Sequence, residues 1–150
     1  MSLASIALIT DFGSNPAFTS VWAAEASTCM IAAASGDDRV SLRNRAILLL
    51  LSIYGLRSGE VRRLQLADVD WQRDRLHVVR SKSLRAETFP LESSVGNAIA
   101  RYLRHGRPPS HSRTLFLTLR APYRPLSGGA LRNLVRRYLS NVGLPARGCG

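Results

Sequence analysis

Residues 41–65 read SLRNRAILLLLSIYGLRSGEVRRLQ, and the fold is decided by how this stretch is parsed. From Ser41 to Tyr54 the apolar letters run nearly all round a 3.6-residue turn, so the helix they predict is buried on several sides. Gly55 supplies its stop, because a glycine just past the last turn takes a left-handed conformation that other residues resist. Such a helix requires neighbours. Directly after it, Val61 and Leu64 stand three apart, with Ser58 available as an N-cap and Glu60 in the first turn, which predicts a second, short helix.

Working downstream, Leu66 to Asp70 reads as a polar exit. Arg75 to Arg80 reads as a strand and Ala86 to Leu91 as its partner, joined by residues 81–85, so Lys82 lies at the mouth of a β-hairpin. Val95, Ile99, Tyr102 and Leu103 mark one face of a helix that Gly106 and Pro108 terminate. Leu115-Phe116-Leu117 is a brief apolar segment, and residues 121–125 form a loop. Leu131, Leu134, Val135, Tyr138, Leu139 and Val142 then repeat with helical period, opened by Ser127 and closed by Gly143 and Pro145. The expected class is α+β: mainly helical, with a small antiparallel β-hairpin or sheet.

The charge is uneven. Residues 1–38 hold four acids and no basic residue, whereas residues 39–150 hold all 21 basic residues against six acids, giving segment nets of −4 and +15 within a total of +11. We expect a leader over residues 1–30, with no assigned role, and a basic domain over residues 31–150. Such a domain attracts phosphate, so double-stranded DNA is the first partner expected. Of the basic residues 20 are Arg and only one, Lys82, is Lys.

Cys29 and Cys149 are far apart and lack metal-ligand spacing, so neither a disulfide framework nor a zinc site is signalled, and a reducing cytoplasm is expected. The start, MSLASIALIT, has no basic n-region, and the longest apolar run, Ala46 to Leu51, is far short of a membrane span. His77, His105 and His111 have no metal spacing either. Trp71 reads as a packing anchor.

Three pieces in order carry a resemblance: GLRSGEV at 55–61, SKSLRAETFPL at 81–91 and LSGGALRNLVRRYL at 126–139, with ADVDW at 67–71 following the first. Together they resemble the catalytic domain of the tyrosine recombinases, the phage-integrase family, over about residues 31–150. The resemblance implies DNA breakage and rejoining through a phosphotyrosine, without cofactor, in company with other recombinase protomers. It assigns Arg57 to the scissile phosphate, where a planar guanidinium can bond two oxygens and stabilise developing charge. It assigns Lys82 as general acid toward the leaving oxygen, work an amine can do and a guanidinium cannot. Glu60 matches the acid that orients Arg57 or caps its helix. Arg62, Arg63, Arg85, Arg132 and Arg136 are candidates for DNA phosphate.

The hairpin departs from the commoner family pattern, with Ser81 and Ser83 where glycines often flank the lysine and Glu87 where a basic residue is frequent; a stiffer turn is expected. The family's His-x-x-Arg motif, further His or Trp, and nucleophilic Tyr have no match before Gly150, so a truncated, catalytically incomplete domain is expected. Tyr138 falls on an apolar helix face and reads as core. The shortened domain further predicts that part of Ala46–Tyr54 is uncovered and that stability is marginal. A non-catalytic basic DNA-binding protein, or an unrelated RNA-associated or structural protein, stays open as an alternative.

Overall fold

A computed structural model of the chain describes residues 28–141. The leader, apart from residues 28–30, lies outside this range, as do Val142, the helix stop at Gly143 and Pro145, and Cys149.

Helical residues 28–33 lead into α1 (Arg39–Ile53). Asp38 caps α1, its carboxylate accepting the N–H groups of Val40 and Ser41 at 3.0 and 3.1 Å. The helix therefore starts two residues before the apolar pattern does. Gly55 follows its end at φ 62°, as a glycine stop requires. Ala46 to Ser52 are all buried, none more than 7% exposed, so the uncovered stripe expected on this helix is absent. Only Ile53 and Tyr54 are half-buried, and the Tyr54 hydroxyl donates to Pro90 O and accepts from Glu92 N–H, both at 2.8 Å.

The short helix α2 (Ser58–Arg63) is capped by Arg57, not Ser58, which sits inside the first turn. The reason is Glu60: its side chain accepts the Arg57 N–H, and this holds Arg57 extended at the entry. The expected polar exit is instead structured. Leu66–Asp68 forms a 3-10 turn, and Val69–Asp70 forms strand β1, with Val69 only 4% exposed.

The three strands β1, β2 (Arg75–Val79) and β3 (Ala86–Pro90) make an antiparallel sheet in that order, with Val69 opposite Leu76 and Leu76 opposite Phe89. Leu76 and Val78 of β2 point into the core, while β3 is exposed except at half-buried Phe89. Trp71, in the β1–β2 turn, is 44% exposed. Its ring lies near Gly96, where an added Cβ would meet Cζ3 at 4.0 Å, so the expected packing anchor sits partly in solvent.

α3 (Ser93–Arg101) packs on α1 and widens into a π turn over Tyr102–Gly106. Gly106 allows the close approach there: a Cβ would meet the Tyr102 ring at 3.0 Å and the Arg39 carbonyl at 3.4 Å. Residues 115–117 are buried, and the loop beyond leads to α4 (Gly128–Asn141), which Ser127 opens by accepting the Ala130 N–H at 3.1 Å. Leu131, Leu134, Val135, Tyr138 and Leu139 are its buried face. Tyr138 belongs to the core as expected, its hydroxyl accepting from the Asn44 side chain at 3.2 Å.

Candidate functional site

Glu60 is the centre of the arrangement. It is 2% exposed, and its two carboxylate oxygens gather donors from two separate elements. Oε2 accepts the backbone N–H of Arg57 at 2.8 Å, and Oε1 accepts the backbone N–H of Ser81 at 3.1 Å. One carboxylate thus ties the entry of α2 to the hairpin turn that carries Lys82. Arg57 and Ser81 can be no further apart than two hydrogen bonds and the carboxylate between them.

Oε2 also receives Nη1 of Arg80 at 3.2 Å. Burial alone pushes the Glu60 carboxyl up, but the Arg57 and Ser81 N–H bonds and the Arg80 charge outweigh it and hold the group below the ordinary glutamate value. Arg80 reaches further: its Nε bonds Glu87 of β3 at 2.8 Å, and its guanidinium lies 5.3 Å from the centre of the Phe89 ring. Arg80 was not singled out from the sequence. The signal was available in the register, since Glu87 pairs with Val78 and a residue two further along β2 is its diagonal neighbour.

Each residue expected at the site has a definite place. Arg57 is half-buried at the cap, and Lys82 is exposed on the turn. Arg63, expected to meet phosphate, donates from Nη2 to Ser81 Oγ at 2.6 Å and so buttresses the same turn. Arg62 turns toward α4, with its guanidinium near Gly128 and its Nε buried without a hydrogen-bond partner. Arg85 is exposed, and its backbone N–H reaches Ser83 Oγ at 3.4 Å. Arg132 is exposed on α4, whereas Arg136 is half-buried and engaged within the molecule.

A cleft of about 450 Å³ opens between α2, the 3-10 turn and the hairpin, walled by Arg63, Leu64, Asp68, Val79, Arg80 and Leu84 among others. A second hollow of about 290 Å³ lies between α1 and α4, with Arg43 and Arg137 and no carboxylate in its wall. Arg43 there bonds Asn44 Oδ1 and Leu117 O, both at 3.1 Å. Among the described residues no His, Cys, Asp and Glu group is arranged to hold a metal, and no helix is long and apolar enough to cross a membrane.

Residues 23–147 match the phage integrase family. An integrase/recombinase of Sinorhizobium fredii is 43% identical over 119 residues, which cover 79% of this chain and 61% of that protein. A second from the same organism is 43% identical over 115 residues, 75% of this chain and 28% of that protein. The tyrosine recombinase XerD of Ralstonia nicotianae is 28% identical over 121 residues, covering 78% and 39%. The crystal structure of XerA recombinase superposes with a TM-score of 0.64 at 22% identity, over 79% of this chain and 41% of that one. The chain therefore spans about three-fifths of the first relative's length and much less of the others.

Proposed function

The chain belongs to the phage integrase family, and from that premise we propose that it binds double-stranded DNA and brings Arg57 and Lys82 to a single backbone phosphate. Arg57 would hold two phosphate oxygens and stabilise the charge that builds during transfer. In the family's reaction a tyrosine attacks that phosphorus as the leaving oxygen departs; with the nucleophile supplied from outside the residues of this chain, Lys82 would give its proton to that departing oxygen. The observation that supports this reading is the shared carboxylate, Glu60, whose oxygens hold the backbone at Arg57 and at Ser81 beside Lys82. The net charge of +11 and the exposed arginines Arg132 and Arg137 on α4 favour a polyanion as partner. Other protomers of the same kind would complete the assembly on DNA.

The tyrosines bear on how far this chain takes the reaction. The hydroxyls of Tyr54, Tyr102 and Tyr138 are each bonded inside the fold, and Tyr123 lies on an exposed loop. None matches the place of the family's nucleophile. We expect this chain to grip DNA without forming a covalent link to it.

A duplex titration read by anisotropy tests the proposal. Arg57→Ala should weaken binding about tenfold, about 1.4 kcal/mol, while Arg104→Ala, at an exposed arginine remote in sequence from the site, should change it little. The logarithm of the affinity should fall linearly with log salt as counterions are released. Equal losses in the two variants would sink the assignment of Arg57. Incubation with nicked duplex, followed by denaturing electrophoresis, should give no shifted protein band; a covalent adduct would overturn the expectation about the tyrosines.

A further inference from the structure

The connection from Val79 to Ala86 holds six residues, Arg80 to Arg85. Within it, Arg80 N–H donates to Arg85 O at 2.9 Å and Leu84 N–H to Arg80 O at 3.0 Å. Leu84 is 80% exposed and has φ 54°, so the far side of the turn has little apolar burial to fix it. What fixes the near side is polar. Ser81 is held twice from α2, its N–H by Glu60 and its Oγ by Arg63. Arg80 is held from both flanks, by Glu60 on α2 and Glu87 on β3, with Phe89 beneath it and Tyr54 behind Phe89 at 5.5 Å.

We propose that Arg80 is a positioning residue: by bonding Glu60 and Glu87 at once it locks the Lys82 turn in one pose against α2. The inference rests on the reading of Lys82 as proton donor and deepens it, since the amine is then presented from a preset turn and not from a swinging loop. It also accounts together for two departures noted in the sequence. Glu87, standing where a basic residue is frequent, is the second arm of the clamp, and Ser81, standing where glycine is frequent, offers the hydroxyl that Arg63 grips. Arginine suits the task because its planar fork can serve two carboxylates from different directions, which an ammonium on a single point does poorly. Removing it would leave the buried charge of Glu60 with only backbone partners.

Amide hydrogen exchange on the full chain, followed by NMR, tests this. Arg80→Met keeps an unbranched apolar stem and removes the guanidinium, with its charge and its place over Phe89. Exchange at the Ser81 amide should then quicken about tenfold or more while Leu76 and Val78, in the buried part of β2, change by less than about twofold. In the same variant the titration midpoint of the Glu60 carboxyl carbon should move up, which a loss of packing alone would not cause. Glu87→Gln, which spares the Arg80–Glu60 pair, should quicken Ser81 exchange in the same restricted way but less, and serves if Arg80→Met does not fold. An unchanged Ser81 rate, or parallel acceleration at Leu76 and Val78, would overturn the proposal. No DNA enters this measurement, so the assignment of Arg57 and Lys82 fails or stands separately, in the duplex titration.

Discussion

Glu60 keeps its charge in a place where burial opposes it, and the donors around it explain why. Because its folded-state value is depressed, the bonds it makes add stability above the ordinary value of 4.5, and that contribution is lost as pH falls through the lower folded value. Glu60→Gln should therefore destabilise the chain by roughly 1–3 kcal/mol at neutral pH, the cost of a weakened buried bond set. Denaturant melts of both proteins from pH 7 downward check the sign: the gap should be constant to about pH 5 and close below 4.5. A gap that widened on acidification would contradict the geometry. At this scale the sequence was legible where chemistry restricts the choice of residue. Glu60 three positions after Arg57 and a lone lysine on a turn were readable as types. Arg80 was not, because in a chain with 20 arginines its meaning comes only from what lies across the strand.

Elements were legible in proportion to their length and period. α1 announces itself by a long apolar run and a glycine stop, and β2 and β3 by alternation around a turn, and these stand within a residue or two of where the pattern put them. β1 escaped because two residues carry no period, and its strand character is conferred by pairing with β2. The cap of α2 was misplaced by one residue since Ser58 has the preferred chemistry, yet Glu60 fixes the backbone one position earlier. Capping at α1 is cleaner, with Asp38 serving two N–H groups of a helix whose N-terminal dipole favours its charge. Asp38→Ala should cost about 1 kcal/mol, the usual value of such a cap. Thermal unfolding at pH 7 reads it, and an unchanged midpoint would show that packing alone sets the start of α1.

For the molecule as a whole, the charge step near Arg39 does not coincide with the edge of the core. Met30 is 1% exposed and Ala34 fully buried, both packed in the same cluster as Leu42 and Leu139. The expected break between residues 30 and 31 thus passes through a helix, residues 28–33, that contributes to the core, a fact hidden from composition because its Thr, Cys, Met, Ile and Ala residues carry no charge. Met30→Ala should cost roughly 2–5 kcal/mol, the range for emptying a buried side chain, measured by urea unfolding; a loss below 1 kcal/mol would restore residue 31 as the boundary. One last consequence follows from Lys82, the only lysine, standing exposed on its turn. Among these 150 residues an amine-directed cross-linker finds a single side-chain anchor, that turn. A peptide linked through Lys82 and recovered from an assembly on DNA would therefore report whatever surface had come to lie beside that turn.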